Sequence, residues 1–298
     1  MPRRSTGLEA VVHRVRTGHY IERMGSITIE MIIRLAAFGV FFAAFALWEL
    51  AAPRRGLSIG RARRWPGNLG ILVADILTVR VLVPTAAVGA SLYAAGNGIG
   101  LINYLQLRLS VAALIGFLAL DLAIYLQHVV FHKVPVLWRL HRMHHADLDI
   151  DVTTGVRFHP IEILISLAIK IAVVLAFGIP VVAVILFEVV LNVTSMFNHS
   201  NASMPVWLDR VLRFIVVTPD MHRVHHSILR RETDSNFGFN LPWWDRLFRT
   251  YRAQPEAGHT GMTIGIPIFR DPGELRIDRM LTQPFRNDAD IRADSQPH

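Results

Sequence analysis

Residues 109 to 145 read LSVAALIGFLALDLAIYLQHVVFHKVPVLWRLHRMHH, and this stretch decides the fold. From Leu109 to Phe131 it is apolar around one acid, Asp121, with Pro135 just beyond. A helix needs roughly 20 mostly apolar residues to cross a bilayer, so this segment is predicted to span one. The polar end of the span carries His128 and His132, four residues apart, followed by His141, His144 and His145 in the pattern HxxHH. Residues three and four apart share a helix face, so each group is predicted to aim its imidazoles in one direction.

Downstream lie a lone His199 and a second HxxHH at His222, His225 and His226. With 14 His in 298 residues, HxxHH is expected by chance about 0.03 times in such a chain, so two copies are not an accident of composition. Neutral imidazole is a metal ligand at physiological pH. Nine imidazoles exceed the roughly four that one tetrahedral zinc takes, which points to two metals sharing a cage.

The rest of the chain supplies more spans. Ile29 to Ala52 is stopped by Pro53, and Leu69 to Ala95 carries Asp75 and Arg80 and ends at Gly96-Asn97-Gly98. The GNGIG run of 96–100 lacks the spacing and strand context of a phosphate loop and reads as a turn. Residues 161–197 are apolar and broken at Gly178-Ile179-Pro180, as two helices of about 17 residues or a hairpin dipping into the bilayer. The fold class predicted is all-α: an integral membrane helical bundle with a cytosolic, histidine-rich di-metal cap. The divisions are an N-terminal tail (1–28), transmembrane segments and loops (29–108), a histidine-box catalytic domain (109–252) and a polar C-terminal tail (253–298).

Arg54, Arg55, Arg61, Arg63 and Arg64 fill the loop after the first span and place it in the cytoplasm. Two further spans and a hairpin then bring all nine histidines to that face. Arg3, Arg4, Arg14, Arg16 and Arg23 precede the first span and fall on the other side in this topology. An even number of spans, or a start at Met24 or Met31, removes the conflict. The first apolar run begins too late and is too long for a signal peptide. Arginine and alanine richness suggests a bacterial inner membrane.

The net charge of +8 sits largely in loops and tails flanking apolar runs, which fits membrane topology and gives no reason to expect nucleic acid. With no cysteine, disulfides, thiolate nucleophiles and cysteine-held clusters are excluded. Three residues are candidates for an additional ligand or a supporting partner. Asp121, with Tyr125 near the same face, could orient a ligand imidazole. His159 precedes Pro160 and Glu162 in a pattern that also reads as a helix start. Asp220, with Arg223, is either a surface charge or a support for the second HxxHH. His13, His19, His259 and His298 are read as incidental residues of the tails, and no catalytic group is predicted beyond the cage.

These boxes, together with Arg157-Phe158-His159-Pro160-Ile161-Glu162, the run Met221 to Ser227, Asn236-Phe237-Gly238 and Trp244 to Tyr251, resemble the fatty acid hydroxylase and sterol desaturase superfamily. The resemblance covers roughly residues 30 to 275. Some members carry a further paired histidine box in the third cluster, where this chain offers only His199. The resemblance implies two iron ions held by His128, His132, His141, His144, His145, His199, His222, His225 and His226. It also implies O2 as co-substrate and oxidation of an unactivated lipid C–H bond to an alcohol or an alkene.

No dinucleotide fingerprint or haem domain is legible, so electrons are expected from an external reductase or electron carrier docking near His222–Arg231. Sterol, fatty acyl, carotenoid, hopanoid and ether lipid all suit an apolar site. The alternatives are a zinc- or iron-binding membrane protein with hydrolytic activity, or a metal transport or storage protein. Transport sites usually lie near the bilayer midplane, whereas these ligands sit at the ends of spans.

Overall fold

The computed structural model describes residues 31–287; the basic N-terminal segment, His13, His19 and His298 lie outside the described residues. The chain divides into two compact units, Met1–Val40 and Phe41–His298. In the first, the described residues 31–40 are helical.

Among the described residues five helical stretches are long and apolar enough to cross a membrane, and the protein is an integral membrane helical protein. The first, α1, is Met31–Ala51. The predicted helix Leu69–Ala95 is instead two helices, α2 (Arg61–Leu82) and α3 (Ala86–Asn97). Pro84 is the reason: it has no N–H to donate, and it forces Val83 before it out of the helical region, to φ −140°. A single turn, α4 (Leu101–Tyr104), precedes α5 (Leu109–Lys133). Helix α6 (Pro135–His145) follows with Pro135 in its first turn. The apolar stretch after residue 160 forms two helices, α7 (Pro160–Phe177) and α8 (Val181–His199). Two short helices follow, α9 (Val206–Leu212) and α10 (Pro219–His225).

Lipid tails are as apolar as leucine, so helices inside a bilayer are held by close packing rather than by exclusion of water. Small residues allow it here. Ala87, Ala112 and Ala183 lie in one buried cluster with Leu120, Ile124 and Phe187. The bundle closes away from the histidines, where the α7–α8 turn meets the turn before α4. Ser91 Oγ donates to the Ile179 carbonyl at 2.5 Å. A Cβ on Gly100 would stand 2.1 Å from the backbone nitrogen of Gly178, and the Gly100 φ of 98° is one that other residues rarely adopt.

At the opposite end, residues 134–159 and 200–287 build a cap. Residues 253–287, read above as part of a polar tail, are packed into it: Met262, Ile264, Phe269, Leu275 and Met280 are buried. His259 is buried as well. The cap is pinned to α2 by Arg64, whose guanidinium donates to both Asp147 oxygens at 2.8 Å and to Asp151 at 2.5 Å. Burial would raise the Asp147 carboxyl, but the Arg64 guanidinium outweighs it and holds the group well below the carboxylate range.

Candidate metal centre

The turn at Val134 folds α6 back beside the end of α5. Five of the nine imidazoles come from these two helices. His199 ends α8, and Thr218 caps α10 by accepting from the Met221 N–H, which fixes the helix that carries His222 and His225 and is followed directly by His226. All nine imidazoles are buried. They form two groups, His128, His132, His141, His145 and His225 in one, His144, His199, His222 and His226 in the other, with candidate ligand atoms within 4.8 Å of one another in each. Both HxxHH boxes are split between the groups. In α6 the first and last histidines join the five-membered group and His144 joins the other; around α10 the first and last join the four-membered group and His225 crosses over. Helix geometry explains this: at about 100° per residue, positions i and i+4 lie about 40° apart, while i+3 points about 60° to the other side. The groups share one chamber, for the His145 and His226 rings stack at 4.6 Å and His141 and His144 lie 5.1 Å apart.

The partners of the ring nitrogens define the chemistry. Nδ1 of His128 lies 2.7 Å from the Phe237 carbonyl, of His144 3.0 Å from that of Arg157, of His199 2.7 Å from that of Ser195, and of His225 2.7 Å from that of Ser235. A carbonyl only accepts, so each Nδ1 carries the proton and each Nε2 presents a lone pair. His141 Nδ1 likewise donates to the Glu162 carboxylate at 2.7 Å. The lone pairs face each other: Nε2 of His128 and His141 are 3.1 Å apart, as are those of His144 and His199, and those of His199 and His222 are 3.2 Å apart.

Facing lone pairs with no proton between them repel unless a cation lies against both. Two nitrogens bound to one metal at 2.0–2.1 Å and about 90° stand about 3 Å apart, the spacing found here. Both ring nitrogens of His132, His145 and His226 are buried without a hydrogen-bond partner, as is His225 Nε2. Burial, and then repulsion by neighbouring imidazoles, holds His144, His145, His222 and His226 well below the ordinary imidazole value and brings His225 down to about 3. The cage therefore offers neutral imidazoles, and its donor set fits two metal ions.

The three further candidates are not brought into either group. Asp121 accepts from Trp244 Nε1 at 2.7 Å, away from the imidazoles. His159 caps α7, its Nδ1 accepting from the Ile161 N–H. Asp220 pairs with Arg54 and Arg223, and His259 Nε2 lies 3.5 Å from it. The carboxylate hydrogen-bonded to a cage imidazole is Glu162, which the sequence reading treated only as an acid in a helix's first turn; Asp234, which it did not single out, lies 3.5 Å from His132 Nδ1. The Asn236-Phe237-Gly238 and Trp244–Tyr251 runs act through backbone: Asp245 accepts from the N–H groups of Phe237 and Gly238 at 2.8 and 2.9 Å, which fixes the Phe237 carbonyl under His128. On the membrane side, Phe158 stacks on His144 at 4.5 Å and Phe239 lies 4.9 Å from His128, so the floor of the cage is apolar.

Residues 113–250, which contain all nine histidines, match the family profile described as fatty acid hydroxylase. An ornithine lipid hydroxylase of Rhizobium tropici is 29% identical over 60% of this chain and 52% of its own length. Alkylglycerol monooxygenase of Homo sapiens is 29% identical over 51% of this chain and 33% of its own. A very-long-chain aldehyde decarbonylase of Oryza sativa subsp. indica is 25% identical over 78% of this chain and 36% of its own. The chain thus aligns with about half the length of the first relative and about a third of the other two. No solved structure matches this chain. The profile match and these relatives agree with the paired histidine groups at the end of a membrane bundle: residues 113–250 of this chain form a fatty acid hydroxylase domain.

Proposed function

We propose that this protein is a membrane di-iron oxidoreductase that uses O2 to hydroxylate or desaturate a C–H bond of a lipid. The observation that carries the reading is the pair of adjacent all-histidine groups whose Nε2 lone pairs face one another above an apolar floor. The nine histidines hold the metals, and imidazole suits iron as well as zinc. Bound iron supplies the activation of O2 and the oxidation of the C–H bond. The residues of the chain do the rest. The carbonyls of Phe237, Arg157, Ser195 and Ser235 and the Glu162 carboxylate lock each imidazole they touch in the ligating tautomer. Phe158 and Phe239 keep water from the membrane side and present the cage to an apolar chain.

Relatives named for ornithine lipid and alkylglycerol support a membrane lipid as substrate. The arginines after α1 support a cap facing the cytoplasm of a bacterial inner membrane, although Arg54 and Arg55 also serve the cap itself, pairing with Asp220 and with the Met262 carbonyl. Electrons come from a separate carrier. Of the run His222–Arg231, expected above to receive it, the histidines and Arg223 are buried, and Arg230 and Arg231 remain exposed beside exposed Lys133.

The test is metal content, followed by turnover of membrane lipid under 18O2 with a chemical reductant. About two irons per chain, and product that forms only with O2, support the reading. Stoichiometric zinc that iron cannot replace, with turnover independent of O2, overturns it in favour of hydrolysis.

A further inference from the structure

Outside the five spans, the cap carries an exposed apolar surface that the proposed chemistry does not use. Trp207 and Val211 on α9, and Phe214 after it, face outward beside Trp243, Leu247 and Phe248; Trp207 is 67% exposed, Phe214 63% and Leu247 66%. The two segments form one surface. Trp243 Nε1 donates to the Phe214 carbonyl at 2.7 Å, and Arg246 lies over the Phe214 ring at 4.9 Å while donating to the Arg213 carbonyl. Contiguous apolar surface of this kind marks an interaction site rather than ordinary exposure.

Its depth identifies what covers it. Residues 243–250 do not sit on top of α5 but run down its side. Trp244 Nε1 bonds Asp121, Phe248 stacks on Tyr125 at 5.5 Å, and the Tyr125 hydroxyl meets Thr250 Oγ1 at 2.8 Å. Twenty helical residues match the hydrocarbon thickness, and counted from Leu109 they reach His128. At 1.5 Å per residue, Asp121 and Tyr125 then lie about 10 Å and about 5 Å inside that limit. On the other side, Trp48, three residues before the end of α1, donates its Nε1 to the Ser203 carbonyl at 3.1 Å, just ahead of α9. On α5 itself, Leu126 and Val130, near the Tyr125 on which Phe248 stacks, are also exposed. Exposed Arg210 and Arg249 border the apolar surface, suited to lipid phosphates, while tryptophan is the residue enriched where a membrane meets water.

We infer that residues 206–215 and 243–249 form an interfacial belt that inserts into the lipid leaflet on the cap side. Lipid in that leaflet then meets the bundle beside Asp121 and Tyr125, directly below the cage. Such belts gain affinity from buried apolar area together with attraction of basic residues to anionic lipid.

The chain has no cysteine, so single nitroxide labels can be placed without background. Trp207→Cys, Phe214→Cys and Leu247→Cys are labelled one at a time in full-length protein in phosphatidylcholine nanodiscs, with and without phosphatidylglycerol. Leu114→Cys on the outward face of α5 is the lipid reference and Arg230→Cys the water reference. Collision with O2 should exceed collision with a water-soluble nickel chelate at the three belt positions, as at the lipid reference. Arg210→Glu with Arg249→Glu should raise nickel accessibility at Trp207→Cys when phosphatidylglycerol is present. Belt labels that behave like the water reference overturn the inference. So do labels shielded from both reagents with spin–spin broadening, the mark of a second copy of the chain. Neither readout depends on metal or turnover, so the belt and the proposed enzymatic function fail separately.

Discussion

Glu162→Gln is the most informative single substitution in the cage. It preserves size and an acceptor oxygen but removes the charge that His141 Nδ1 meets at 2.7 Å. His141 Nδ1 is hydrogen-bonded to a carboxylate and His132 Nδ1 lies 3.5 Å from Asp234, whereas His128, His144, His199 and His225 rest on carbonyls. The ionised partner raises the basicity of Nε2, and loss of such a partner typically lowers metal affinity about 10- to 100-fold, or about 1.4 to 2.7 kcal/mol at 1.36 kcal/mol per decade. Since Glu162 and His141 are both buried, solvent screening does not reduce this figure. His141 belongs to the five-histidine group, so the loss should fall there and spare the four-histidine group. Protein loaded with metal is equilibrated with graded chelator, and the metal retained per chain is measured. The variant should release one metal at a chelator concentration about 10 to 100 times lower than wild type and hold the other unchanged. Equal retention of both would refute the role of the carboxylate. Simultaneous loss of both would refute the division into two groups.

His259→Ala, which the sequence alone suggests is neutral, should lower the thermal midpoint by removing a buried ring beside Asp220, at a cost of about 1–3 kcal/mol, without reducing metal per chain. Arg64→Met leaves Asp147 and Asp151 buried without their guanidinium, so a loss of about 3–5 kcal/mol is expected, seen as failure to accumulate folded protein in detergent extracts. For metal-free protein, the sign of the pH dependence follows from the depressed imidazoles. As pH falls below the unfolded value of 6.5, the unfolded chain takes up protons that His144, His145, His222, His225 and His226 refuse when folded. The thermal midpoint of metal-free protein, compared at pH 7.5, 6.5 and 5.5, should therefore fall on acidification, and a midpoint that rises would contradict burial of neutral imidazoles.

Spacing and hydropathy made the spans, the helical class and the nine histidines legible, because both are properties of consecutive residues. They did not reveal which acid serves the cage. Asp121 lies near the face of His128 and drew attention, but the indole of Trp244 occupies it, while Glu162 reaches His141 from a different helix. The buried anchors inside the segment read as a polar tail were hidden for a related reason. Residues 253–287 are polar on average, yet Met262, Ile264, Phe269, Leu275 and Met280 are each buried, and composition averages hide isolated anchors. The break at Pro84 was present in the sequence, but hydropathy is insensitive to a missing N–H.

The sequence by itself determined that this chain crosses a membrane and gathers histidines at the ends of its helices, since bilayer thickness and helical periodicity act on residue order alone. Only the tertiary structure decided that the two HxxHH boxes are each divided between two metal groups, and that four carbonyls from three separate segments set the tautomers. Backbone carbonyls are the same in every residue type, so their use as partners for Nδ1 is visible only once the chain has been folded around them.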